Sequence, residues 1–327
     1  MNKLFKIGLA SVTALSLVAC SGGSQSDDTT KIGIIQLAEH PALDQAYEGF
    51  MDGLEEAGYT EDNTVFDYQN ASNDQSNCKT IADKFVNDGD DLIYAIATPA
   101  AQSVAQATSD IPILVNAVTD PAASGIVEDN EAPGGNVSGV SDLTPVEEQI
   151  DLLQQLLPDA KKVAVMYCSS EDNSKIQAEM AEKALDEAGI EWEEATVADS
   201  SSIQQVTESL IGKVDAIYIP TDNLLAEGMS AVTQISNANG IPCIVGESGM
   251  VSNGGLATYG IDYYRLGEMA AEQAVAILED GKSPADMPIE YLSAEDCVLT
   301  INKTVAEELG ITIPEEFADA EMIETAS

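Results

Sequence analysis

The chain has 327 residues, with 57 acids against 13 bases and a formal net charge of −44 at pH 7. So acidic a surface repels nucleic acid and anionic lipid headgroups, which argues against both as partners and favours a soluble monomer. A single histidine and five cysteines with no CxxC pair leave no zinc spacing, so neither a metal nor another cofactor is expected.

The chain opens with MNKLFKIGLASVTALSLVAC. Lys3 and Lys6 flank the start of an apolar stretch, Ile7 to Ala19, which is short of the about 20 apolar residues a spanning helix needs. It reads as a secretory signal peptide over residues 1–19. LVAC, Leu17 to Cys20, resembles a bacterial lipobox, in which Cys20 takes a diacylglycerol (with palmitate among the acyl chains) and becomes the mature N-terminus. SGGSQSDDTT follows, and residues 20–30 have the composition of a flexible tether. These segments predict an extracytoplasmic protein held to the cell membrane by the lipid on Cys20. The other cysteines, Cys78, Cys168, Cys243 and Cys297, are widely scattered and read mostly as free thiols.

From Lys31 onward, short apolar runs alternate with amphipathic segments. KIGIIQL is a buried strand, and DQAYEGFMDGLEEAGY repeats Ala46, Phe50, Leu54 and Ala57 at helical spacing. DDLIYAIA leads into TPAAQSVAQATS, and IPILVNAVTDP is another buried strand. Continuous apolar strands alternating with helices mean a parallel sheet covered on both faces. The second half repeats the order. KVAVMY at Lys162 matches KIGIIQ at Lys31, and LDEAGI at Leu185 matches LEEAGY at Leu54, both 131 residues on. DAIYIPTD echoes DLIYAIATP, and IPCIV echoes IPILV. This is a duplicated α/β domain.

GGNVSGVSDLTP, residues 134–145, is a crossing point between the copies. A helix from about Tyr263 to Glu279 has no counterpart in the first copy and is expected to complete the first lobe. The expected division is 31–141 plus about 260–284 for one lobe, and 142–259 plus about 285–327 for the other. Two lobes with parallel sheets, joined by several strands, form a hinge with a ligand cleft between them.

In open parallel sheets ligands sit at the carboxyl ends of the strands. Those ends carry Glu39 and His40, Thr98 to Ala101, and Thr119 with Asp120 in the first copy. In the second they carry Cys168, Ser169, Ser170 and Glu171, Asp222 with Asn223, and Glu247. Thr98 fits an N-cap with Pro99 at N1, which leaves the N–H groups of Ala100 and Ala101 for a carboxylate. Asp222 and Glu247 are placed either to pair with an ammonium group or to cap helices. An anion site on one lobe and an acid on the other suit an amino acid zwitterion.

Catalytic motifs are missing: no GxSxG, GxxxxGK[ST] or GxGxxG occurs, and no cysteine has a histidine partner in a known pattern. His40 is left as a ligand contact or a packing residue of the strand-to-helix loop. No enzyme is expected on these motifs; a binding protein for a small polar molecule and a lipid-anchored sensor of the same architecture both stay open.

Taken together, IGIIQLAEHPALDQAYEGFMDGL, ATPAAQ, AVTDP, GVSDLTPVEEQI, MYCSSEDNS, IPTDN and YGIDYYRLG resemble the ABC-transporter substrate-binding lipoproteins, in particular the group for tryptophan, tyrosine or phenylalanine uptake. The resemblance spans Lys31 to about Pro314. It implies two Rossmann-like lobes of the type I periplasmic-binding-protein fold, an aromatic amino acid as ligand, an ABC permease as partner, and no chemistry on the ligand. Residue by residue, it implies ligand contacts at Glu39, His40, Thr98, Ala100, Ala101, Thr119 and Asp120. In the second lobe it implies them at Ser169, Ser170, Asn173, Ser174, Asp222, Asn223 and Glu247.

Overall fold

The computed structural model describes residues 29–293 and 296–324; the expected signal peptide, Cys20 and most of the tether lie outside them. Strands β1 (Thr30–Gln36), β2 (Thr64–Asn70), β3 (Leu92–Ile96), β4 (Ile113–Asn116) and β5 (Val137–Ser141) form a parallel sheet in the order β2-β1-β3-β4-β5. Strands β6 (Lys162–Cys168), β7 (Glu191–Val197), β8 (Ala216–Ile219), β9 (Cys243–Val245) and β10 (Ala257–Gly260) repeat this as β7-β6-β8-β9-β10. The duplication is thus a duplication of topology. β3 and β8 are buried along their whole length, which explains why they read as unbroken apolar runs.

Late strands extend both sheets. β11 (Glu290–Tyr291) pairs in parallel with β5, so residues 290–291 still belong to the first sheet, later than the return expected near 285. β12 (Val298–Asn302) then joins β10, and β13 (Glu321–Ile323) joins β12. β12 runs antiparallel to β10, a departure from an all-parallel sheet. The chain leaves β10 at the hinge end and re-enters there after β11, so its next strand must run the other way.

The helices are α1 (Pro41–Glu56), α2 (Gln75–Asp88), α3 (Thr98–Ala107), α4 (Val146–Leu156), α5 (Asp172–Ala188), α6 (Ile203–Ser209), α7 (Asn223–Ala238), α8 (Ser248–Ser252), α9 (Tyr263–Leu278) and α10 (Lys303–Leu309). α9 packs along α1 and over β4 and β5. The two backbones approach closely at glycines: a Cβ on Gly49 would lie 2.0 Å from the Tyr264 carbonyl oxygen, and one on Gly267 would lie 2.4 Å from that of Ala46. Phe50, Tyr94, Leu266 and Ala270 lie in the apolar core around this seam. The second sheet carries separate clusters on its two faces, one around Tyr218 and Leu153 and one around Met229 and Ile217.

Cys78, Cys168, Cys243 and Cys297 are free thiols. Among the described residues no helix is long and apolar enough to cross a membrane.

Candidate ligand-binding site

The loops after β1, β3 and β4 meet those after β6, β8 and β9, and two chambers lie between them. The inner one is narrow, a cavity of about 10 Å³, and is lined by His40, Leu43, Ala117, Asp142, Asn173, Thr221, Asp222, Asn223, Ala226, Glu247 and Tyr263. The outer one, about 290 Å³, is lined among others by Leu37, Asn73, Pro99, Cys168, Ser170, Glu171, Asp199, Leu224 and Glu227.

His40 lines the inner chamber. It precedes α1 with extended backbone, and Pro41 opens the helix; its side chain makes no cap bond, which leaves the imidazole free to cross to the other lobe. Nε2 lies 3.2 Å from Asn223 Oδ1. Asn223 Nδ2 donates to Glu171 Oε2 at 2.5 Å, which fixes Oδ1 as the acceptor and puts the imidazole proton on Nε2. His40 Nδ1 is therefore an acceptor, buried and without a protein partner. Burial also holds the His40 pKa below its usual value, against the pull of the Asn223 bond and of Asp44 and Glu227, so the ring stays neutral.

Asn173 repeats the pattern. Its Nδ2 donates to Glu171 Oε2, Ser174 Oγ and the Thr221 carbonyl, while its buried Oδ1 has no partner. Thr98 Oγ1 is a third buried atom without a partner.

The start of α3 differs from expectation. Its N-cap is Ala97, in the left-handed region at φ 83°, and Thr98 is already helical. The helix starts one residue early because Ala97, held by its N–H to the Asn116 carbonyl, turns sharply at the end of β3. The Ala101 N–H consequently donates to the Ala97 carbonyl at 3.0 Å, so it is not a free anion donor. Ala100 and Ala101 are both fully buried. Ala117, at φ 53°, makes a similar turn after β4 and lines the inner chamber. Such conformations cost about 1–3 kcal/mol each and cluster at functional sites.

Asp222 and Glu247 both cap helices: Asp222 accepts from the N–H groups of Leu225 and Cys168, and Glu247 from those of Gly249 and Met250. The cap reading holds for both, and both also line the inner chamber. Burial, with Glu171 alongside, pushes the Asp222 pKa up. Burial likewise lifts Glu247 to about 7 and Asp142 to about 6. No lysine or arginine lines either chamber. Arg265, the single arginine, is on the surface with Glu268 and Glu272.

The structure therefore brings His40, Asn173, Asp222, Asn223 and Glu247 together, with Ser170 in the outer chamber. Thr119 and Ser174 are buried beside the site: Thr119 Oγ1 donates to Asp142, and Ser174 Oγ accepts from Asn173. Glu39 and Ser169 are exposed and line neither chamber. Asp120 closes a turn instead, accepting from the N–H groups of Ala122 and Ala123 and from Asn130. Asp142 and Tyr263 were missed. They lie in the crossing segments after β5 and β10, outside the strand-end rule, where Tyr263 OH donates to Asp142 Oδ2 at 3.0 Å. GVSDLTP and YGIDYYRLG held the signal, as crossing segments bordering the cleft.

Residues 31–322 match the family model described as ABC transporter substrate binding protein. The chain is 44% identical over 311 residues to the tyrosine-binding protein of Clostridioides difficile strain R20291, covering 91% of this chain and 90% of that one. It resembles the ABC domain from Streptococcus pneumonia in complex with L-Trp, with a TM-score of 0.87 and 40% identity over 90% of this chain and all of that one. The ligand-free, open structure of a substrate binding protein with adhesive properties from Clostridium difficile gives a TM-score of 0.70 at 43% identity, over 91% of this chain and all of that one. At nearly equal identity the L-Trp complex superposes better, in keeping with lobes that touch across the cleft.

Proposed function

Because the chain belongs to the family of ABC transporter substrate-binding proteins, we propose that it captures an aromatic amino acid between its lobes and presents it to a membrane permease. The observation that carries this reading is the inner chamber, where the buried acceptors His40 Nδ1 and Asn173 Oδ1 lack partners among carboxylates without a counter-cation. An amino acid supplies the missing donors through its ammonium group. The L-Trp of the pneumococcal relative and the tyrosine of the clostridial one support an aromatic side chain.

In this reading the ligand contacts are His40, Asn173, Asp222, Asn223 and Glu247, with Asp142 and Tyr263 added. Ser170, in the outer chamber, would face the carboxylate. The lobes follow the two sheets, with α9 and β11 in the first. The lipid on Cys20 would hold the protein at the outer face of the membrane, beside the permease.

Closure explains capture without chemistry. His40 meets Asn223, Gln102 Nε2 donates to Asp172 Oδ2 at 2.9 Å, and Gln177 Nε2 bridges Thr119 Oγ1 and Thr221 Oγ1. A ligand that completes these contacts binds the closed form better and shifts the population toward it. In the cleft, burial pushes the Cys168 thiol up and His40 Nε2 is engaged by Asn223.

The test is thermal unfolding of ligand-free protein with L-tryptophan, L-tyrosine and L-phenylalanine. A ligand at a hundredfold its Kd adds about 2.7 kcal/mol of stability. Absence of a shift with all three overturns the proposal.

A further inference from the structure

We propose that this cleft recognises its ligand through the ammonium group and not through the carboxylate, so that aromatic monoamines, the decarboxylated counterparts of aromatic amino acids, are ligands as well. The inference rests on the reading of the cleft as the amino acid site.

The inner chamber is built of acceptors. His40 and Asn173 are 7% and 4% exposed, both line this chamber, and each holds a buried acceptor without a partner, Nδ1 and Oδ1. Their other polar atoms are committed to Asn223, Glu171, Ser174 and Thr221, so neither can rotate to offer a donor without breaking those bonds. Asp222 and Glu247, both buried, line the same space. An ammonium group carries three N–H donors and a positive charge, the chemistry that unpaired buried acceptors beside carboxylates call for.

No charged partner serves the carboxylate. Neither chamber has a lysine or arginine, and the outer one adds Glu171, Asp199 and Glu227. The Ala101 N–H, the obvious backbone donor at the start of α3, is already bonded within the helix. Ser170, in the outer chamber, offers a neutral hydrogen bond only. Leu37, Pro99 and Leu224 give the outer chamber an apolar wall for the ring. Removing the carboxylate then takes away weak contacts and relieves like-charge repulsion, whereas removing the ammonium leaves the buried acceptors unpaired.

Titration calorimetry on the intact wild-type protein tests this with three probes: L-tyrosine, tyramine and the deaminated acid, hydroxyphenylpropionate. L-Tryptophan and tryptamine serve as a parallel pair. The expected result is tyramine within about tenfold of L-tyrosine and the deaminated acid weaker by about a hundredfold or more. If both amino acids bind and both amines are weaker by more than about tenfold, the inference is overturned while the amino acid reading stands. Equal binding of the deaminated acid and tyramine also overturns it. If no amino acid and no amine binds, the reading of the cleft itself falls.

Discussion

At the scale of single residues, the lone histidine is the sharpest case. Its position after β1 was legible because a strand end followed by a proline-opened helix is a local pattern. Its partner was not, since Asn223 lies 183 residues away. His40→Ala removes one buried acceptor for the ligand, and such a loss weakens binding by about 1–3 kcal/mol. Calorimetry should record that drop while the unfolding temperature of the ligand-free protein stays near wild type. Unchanged affinity would make His40 a packing residue.

The buried groups also set a pH dependence. His40 is held below its usual 6.5, so the unfolded chain takes up its proton first; the stability it contributes is present above 6.5 and is lost as pH falls below that. Asp142, Asp222 and Glu247 are raised, so for them the folded chain binds protons first and gains stability as pH falls through about 7 and about 6. For an ammonium ligand all four act in one direction, because it needs a neutral His40 and ionised carboxylates. Affinity should fall from about pH 8 to about 5.5, by up to tenfold per unit for each group that must lose its proton. A flat calorimetric profile over that range would mean that these groups do not face the ligand.

At the scale of elements, the central strands were legible because a sheet covered on both faces leaves them uniformly apolar. β2 and β7 were harder, being edge strands with mixed, partly exposed sequences (TVFDYQN and EWEEATV). The seam between α1 and α9 depends on Gly49 and Gly267, where no Cβ fits. Gly267→Ala gains up to about 1 kcal/mol of helix propensity. It should lose more, about 1–3 kcal/mol, by forcing the helices apart. The expected net effect is a lower urea midpoint at unchanged slope, and a rise in the midpoint would show that the seam yields freely.

At the scale of the molecule, closure is held in part by a side chain that bridges the lobes without itself lining the ligand space. Gln177 lines neither chamber, yet it bridges Thr119 of the first lobe and Thr221 of the second and accepts from Thr144 Oγ1. Gln177→Ala should open the ligand-free protein and lower apparent affinity by about the fraction of closed molecules lost. Small-angle scattering should then show a larger radius of gyration without ligand and a wild-type radius at saturation. Equal radii in both variants without ligand would remove Gln177 from the closing mechanism.

The alternation of strand and helix, its duplication, and the strand ends that face a cleft were determined by the sequence itself, because apolar periodicity and turn chemistry act over a few residues. Which strand-end residues become a site was decided only by the tertiary structure. His40, Asn173, Asp222, Asn223 and Glu247 converge, whereas Glu39 and Ser169 are exposed and line neither chamber and Asp120 closes its own turn. Asp142 and Tyr263, 121 residues apart, enter from crossing segments. The physical reason is that a carboxylate at a strand end has the same local sequence whether it caps a helix, meets solvent or lines a chamber. Only the approach of the second lobe buries it and removes its alternatives.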